Sequence, residues 1–358
     1  MKHLYGIIPS QHKIALGPNL TGVRGERLHT IAHNGITALV SDSAYAEYDG
    51  LYKPTLVQML AEHQRVTEQI LPQVDGLLPV KFGTLLSKDE VHTLLAQAHA
   101  DLEKALHTLT GQVEIEVVAT WEPEKVFAEL AQDSTIAQLR AAAAGRTPAE
   151  VQQIQMIVGQ LVKRGLDARR ASYQEQLLAS LKDAATDLEI NPVMNEQVVA
   201  NVAFLLPTEK QTEFDQKVES LDSQLNGQLN FKVVGPLPAY SFSTVEVVKI
   251  SPEDVDWARE LLELGDSASA DEIRAAYLRQ ARRHHPDTAQ AQTVHDEDDV
   301  TAFTDINNAY QLLQHCYTVQ AAGRPSADAA PFRCDFSPLT VDGTLVVNIC
   351  RSSDLATS

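Results

Sequence analysis

The stretch from Ile273 to Leu313, IRAAYLRQARRHHPDTAQAQTVHDEDDVTAFTDINNAYQLL, admits few folds. Ile273, Ala276, Tyr277 and Ala281 recur at three-to-four-residue spacing and line one apolar face of a helix. The other face carries Arg274, Arg279, Arg282 and Arg283. A second pattern, Phe303, Ile306, Ala309, Tyr310 and Leu313, repeats the spacing. Between the two, Pro286 disfavours helical geometry at His285 and closes the first helix. Two short amphipathic helices bury nothing unless they pack on each other, so the pattern predicts an antiparallel hairpin. Its tip would present His285, Pro286 and Asp287 beside a stripe of arginines.

From Arg259 to Tyr317, through LLELGDSASADEIRAAY, ARRHHPD and FTDINNAYQLL, the sequence resembles the J-domain of DnaJ-type co-chaperones. A His-Pro-Asp triplet alone says little. Preceded by a tyrosine and a basic helix, and followed by F-x-x-I-N-x-A-Y, it is specific. The resemblance implies that Arg279, Arg282, Arg283, His285, Pro286 and Asp287 contact a DnaK-type chaperone and stimulate its ATP hydrolysis. Ile273, Tyr277, Phe303, Ile306, Ala309 and Tyr310 would pack the hairpin. Two positions depart from the family pattern: Glu263 stands where glycine is usual, and Thr288 replaces a basic residue after Asp287.

The chain has 358 residues, enough for two or three domains that each bury a core. Its net charge of -19 repels polyphosphate backbones, which argues against general nucleic-acid binding, so the arginine stripe suits an acidic protein partner better than DNA. No apolar run is long enough to span a membrane, and MKHLYGIIPS reads directly as a strand, so a cytoplasmic protein without a signal peptide is expected. The three cysteines, Cys316, Cys334 and Cys350, form no C-x-x-C pair and no zinc ribbon.

In chain order, strands are expected at His3–Pro9 and Ile36–Ser41, then a helix at Pro54–Ile70 with Leu56, Met59, Leu60, His63, Val66 and Ile70 inward. Leu78–Leu86 reads as a strand and Ser87–Leu109 as one helix opened by a capping box, Ser87 with Glu90. A second unit begins with the alternating strand Gln112–Trp121, then a helix Glu124–Leu139. A helical pattern from Ala149 to Leu188 is long enough that a break near Gly159 or Gly165 is expected. Val198–Leu206, Leu229–Val234 and Ser241–Ile250 read as strands and Thr208–Leu225 as a helix. The tail strand candidate is Thr344–Ile349, with a frayed terminus as the equal alternative. The fold class is therefore α+β, two small sheet-plus-helix domains of the ferredoxin-like type followed by an all-α J-type hairpin. The expected divisions are 1–110, 111–250, 251–320 and a flexible tail, 321–358.

Four front segments together resemble the gas vesicle protein F/L family: YGII at Tyr5–Ile8, ALVSD at Ala38–Asp42, HQRVTEQILPQVDGLLPVKFGTLLS at His63–Ser87, and GPLPAYSFSTVEV at Gly235–Val247. The resemblance spans Met1 to Ile250 and implies a fold of two α+β domains. It also implies an accessory protein of gas vesicle formation, binding the hydrophobic shell subunit and other accessory proteins; no enzyme, cofactor or membrane partner is implied. A shell subunit that walls off gas exposes apolar surface before assembly, so a dedicated holder joined to a chaperone recruiter is physically sensible. The alternatives are a general J-domain co-chaperone and a minor structural component of the vesicle.

Other chemical candidates have plainer readings. His63 lies on the helix face of Leu56, Met59 and Leu60, a core-edge histidine rather than a metal or acid/base residue. Lys81 would point to solvent from its strand or meet an acidic partner, and Gly83 would mark a bulge or a close backbone approach. The DEDD run from Asp296 to Asp299 lacks the alternating ligand spacing of a calcium loop.

Overall fold

The computed structural model describes the chain apart from residues 12–13, 18–19, 49, 194, 285–296, 323–331, 342 and 356–358. It has two compact units. One comprises Met1–Leu86, His99–Val245 and Ile349–Ser358; the other comprises Ser87–Ala98 and Glu246–Asn348.

The first unit opens on β1 (Lys2–Pro9), whose residues His3 to Ile8 are all buried. β2 (Leu28–His33) and β3 (Ile36–Asp42) form a hairpin through Asn34 and Gly35 at φ 41° and 92°, the left-handed pair that an Asn-Gly turn supplies. β3 pairs antiparallel with β1, with a bulge at Tyr5 between Leu4 and Gly6. β2 was not legible beforehand, because LHTIAH mixes histidines into a weak alternation. α1 (Lys53–Ile70) buries Met59, His63, Val66, Thr67 and Ile70, while Leu60 faces outward at 38% exposure, against the expectation. The expected strand Leu78–Leu86 is instead two short ones, β4 (Leu78–Pro79) and β5 (Leu85–Leu86), both paired with β1. Between them the chain turns, with Gly83 at φ 91° and the Thr84 N–H donating to the Lys81 carbonyl. Lys81 thus belongs to a turn and not to a strand.

The single expected helix Ser87–Leu109 is two, α2 (Lys88–Gln97), which falls in the second unit, and α3 (His99–Leu109). They part at Ala98, whose ψ of 12° leaves the helical range. The Ser87–Glu90 capping box is present at the start of α2. β6 (Gln112–Thr120) is the centre of the second sheet. After it, α4 (Pro123–Leu130) and α5 (Ser134–Ala142) replace one expected helix, because Asp133 accepts from the N–H groups of Thr135 and Ile136 and restarts the chain. α6 (Pro148–Leu181) runs unbroken through Gly159 and Gly165, contrary to the expected break. A helix glycine costs only about 1 kcal/mol, which packing outweighs. Gly165 is needed for contact with α4, since a Cβ there would meet Leu130 Cδ2 at 2.7 Å. β7 (Asp187–Ile190), whose first two residues fall within the expected helix Ala149–Leu188, is an edge strand on β8 (Val198–Pro207). α7 (Gln211–Leu225) and β9 (Asn230–Leu237) complete an antiparallel sheet of order β7-β8-β6-β9. One buried cluster runs through both sheets, from Tyr5, Leu39 and Met59 to Ile115, Phe204 and Phe214.

β10 (Thr244–Lys249) leads into the second unit. There α8 (Pro252–Leu261), capped by the Ser251 side chain, is followed by β11 (Ser267–Ala268), α9 (Ala270–Arg283) and α10 (Glu297–Ala322). β12 (Cys334–Asp335) pairs with β11, and the short α11 (Pro338–Val341) precedes β13 (Leu345–Cys350), which forms a two-stranded sheet with β10. The tail strand therefore forms inside the chain's own fold. Val255, Ala258, Leu262, Ile273, Ala276, Ile306, Ala309, Leu313 and Phe336 share the buried core of this unit.

Candidate functional site

α9 starts at a capping box, Ser269 with Glu272, and ends on Arg282 and Arg283, charges of the sign that a helix C-terminus favours. Ile273 and Ala276 are buried, and Arg274, Arg279, Arg282 and Arg283 are exposed. On α10, Ile306 and Ala309 are buried and Phe303 and Tyr310 half-buried. Tyr277 and Tyr310 stack with centroids 4.2 Å apart, and the Tyr277 hydroxyl donates to Asn307 Oδ1 at 2.8 Å. His285, Pro286, Asp287, Thr288 and Asp296 of the DEDD run lie outside the described residues, while Glu297, Asp298 and Asp299 open α10.

Glu263 takes the left-handed conformation, φ 56°, directly after α8 ends. Glycine is the residue that adopts this geometry without strain. The Glu263 carboxylate accepts from the Gln280 side chain and from Arg283 Nη1 at 3.0 Å, contacts that hold its pKa below the usual carboxylate range, the Gln280 bond most. One arginine of the basic stripe is thereby engaged within the chain. Cys316 and Cys334 are buried in the core beneath, where burial pushes their thiols up to about 11 and about 12, so neither is a ready nucleophile.

The first unit holds buried polar groups of which the sequence singled out His63 alone, as a core-edge histidine; it is 1% exposed. His3 Nε2 lies 2.9 Å from His63 Nδ1, and His3 Nδ1 lies 2.7 Å from the Tyr48 hydroxyl. Burial, then the neighbouring His63, lowers His3 to about 3; burial lowers His63 to about 4, with the Val80 backbone acting the other way. Both rings are therefore neutral at pH 7. The sign of His3 in the sequence was its place two residues before Tyr5, on the same face of β1. Glu114, 3% exposed, accepts from the Ser241 N–H and hydroxyl, both at 2.8 Å, and desolvation raises it to about 7. Tyr240 reaches Thr67 through a 2.5 Å hydroxyl contact, and the Lys81 N–H donates to the Val245 carbonyl. The Val80 N–H donates to the Tyr5 carbonyl. The four front segments that share a family pattern thus meet in one place.

A mixed antiparallel α+β body that carries a J-type helical unit is the class of molecule these features define. Residues 1–244 match the family described as gas vesicle synthesis protein GvpL/GvpF, and the chain belongs to that family. Residues 260–316 match the DnaJ domain. Gas vesicle protein F of Nostoc sp. is 26% identical over 247 residues, covering 68% of this chain and 98% of that protein. Gas vesicle protein F of Dolichospermum flosaquae is 26% identical over 250 residues, with 68% and 98% covered. The crystal structure of GvpF from Anabaena sp. superposes with a TM-score of 0.57 at 26% identity, covering 67% of this chain and 96% of that one. GvpF from Microcystis aeruginosa shares the fold, with a TM-score of 0.54 at 23% identity over 67% and 98%. Among the described residues no helix is long and apolar enough to cross a membrane.

Proposed function

We propose that this protein is a gas vesicle assembly factor that holds the hydrophobic shell subunit and delivers it to a DnaK-type chaperone. The observation that carries the reading is one chain holding both a GvpL/GvpF body and a DnaJ domain. A tether raises the local concentration of chaperone at whatever the body binds, with no new contact required. Exposure of Arg279, Arg282 and Arg283 on one face of α9 supports their role with His285, Pro286 and Asp287 in engaging the chaperone. Exposed apolar groups on the first unit, Val57 and Leu60 on α1 and Met156 and Ile157 on α6, are available to an apolar client. The reading is of a binding and delivery protein, not an enzyme.

DnaK ATP turnover tests it, measured with the intact protein and with Asp287→Asn, each with and without shell subunit. Stimulation by the intact protein alone, greater when subunit is present, is expected. Equal stimulation by Asp287→Asn would remove the chaperone-recruiting step. Failure of the full chain to retain the shell subunit on co-purification would remove the client.

A further inference from the structure

Residues Ile349–Ser358 follow the second unit in sequence but belong to the first. Their anchor is Arg351. Its Nε donates to Glu189 Oε2 at 2.9 Å and its Nη1 to Asp187 Oδ2 at 2.8 Å. Nη2 lies 2.8 Å from Glu189 Oε2 and donates to the Leu188 carbonyl at 3.3 Å. The Phe242 ring centroid is 5.3 Å from Cζ. The next residue continues the contact: the Ser352 N–H donates to the Ser241 carbonyl at 3.0 Å, and its hydroxyl to Asn191 Oδ1 at 3.4 Å.

An ordinary surface ion pair matches one charge to one charge and contributes little. Here a planar guanidinium meets two carboxylates, a backbone carbonyl and an aromatic face, a set that arginine satisfies and lysine does not. Asp187 and Glu189 are two residues apart on β7, on one side of the strand, where two like charges repel unless a cation lies between them. β7 is also the end strand of its sheet, and the tail meets it through the Arg351 side chain, the Arg351 N–H donating to Asp354 Oδ2 at the start of a short helical turn, Ser352–Leu355. The notch residues Asp187, Leu188, Glu189, Asn191, Ser241 and Phe242 all lie inside the span matched to GvpL/GvpF, whereas Arg351 lies beyond it. The notch is part of the family body, and its occupant is not.

We propose that this notch recognises an arginine-bearing segment of a protein partner, and that the chain's own Arg351–Ser352 is the resident occupant that such a segment displaces. The tail is then an internal competitor that keeps the notch closed until a partner of the right chemistry arrives.

The probe is a fluorescent peptide with the sequence of residues 349–358, added to the full chain and to full-length Arg351→Ala, with anisotropy as the readout. A tethered occupant acts at an effective concentration of roughly millimolar, so the peptide should bind the Arg351→Ala chain at least about tenfold more tightly than the intact one. A peptide with alanine for its arginine should not bind. Adding Asp187→Asn and Glu189→Gln to the Arg351→Ala chain should abolish binding while its melting temperature stays near that of Arg351→Ala. Binding to neither chain, equal binding to both, or binding that ignores the peptide arginine or the two carboxylates would overturn the proposal.

Discussion

At Glu263 one side chain carries two opposed effects. The left-handed backbone favours glycine, while the carboxylate engages Arg283 and Gln280. An exposed pair of this kind is screened and weak, so the backbone effect should prevail. Glu263→Gly is expected to melt at or above the parent temperature and, on the delivery reading, to stimulate DnaK more strongly because Arg283 is released. A lower melting temperature would show that the link between α8 and α9 outweighs the strain. The sequence marked Glu263 as unusual. Its partner was unreadable, because Arg283 lies twenty residues on and only the packing of two helices brings them together.

Among the elements, α6 separates what glycine does in a sequence from what it does in a fold. Nothing lies within 4 Å of a Cβ built at Gly159, so Gly159→Ala should raise stability by roughly 0.5–1 kcal/mol. At Gly165 the same change forces Leu130 to move, so Gly165→Ala should gain less and Gly165→Leu should lose about 1–3 kcal/mol by overpacking. Urea denaturation of the three variants checks the order; equal gains from both alanines would mean that α4 does not press on α6. The strongly patterned elements were visible in sequence, α1, β6, β8, α7, α9 and α10 because one face of each must be apolar, and β1 and β3 because they are short apolar runs buried on both faces. The weak ones were not. β7 is four residues of mixed character, and β4 and β5 are two residues each, held as strands only because β1 offers them an edge.

For the whole molecule, buried titratable groups set opposing pH slopes. His3 and His63 are depressed to about 3 and about 4 from a normal value near 6.5. The unfolded chain therefore binds more protons below pH 6.5, and stability present above that pH is lost as pH falls toward 4, on the order of 3 kcal/mol per ring by pH 4. Glu114, raised to about 7, acts in reverse: its contribution is present below pH 4.5 and lost as pH rises through 7. Melting temperatures from pH 4 to 8 should show a maximum between these limits. Glu114→Gln, which still pairs with Ser241, should flatten the decline toward neutral pH, steepen the rise between about pH 4.5 and 6.5, and leave the profile below pH 4.5 unchanged. An unaltered profile would mean that Glu114 is charged in the fold throughout.

The sequence by itself was sufficient for the α+β body and the helical unit after it, because periodicity depends on neighbours within a turn or a strand, and the resemblance of a few quoted stretches pointed to the family of each. It also supplied the basic face of α9. Only the tertiary structure decided that His3 meets His63, that Glu114 holds Ser241, and that Arg351 returns to the first unit across the whole second one. Each of these joins polar groups far apart in the chain, and what selects them is the need to satisfy buried or like-charged atoms once the apolar surfaces have closed.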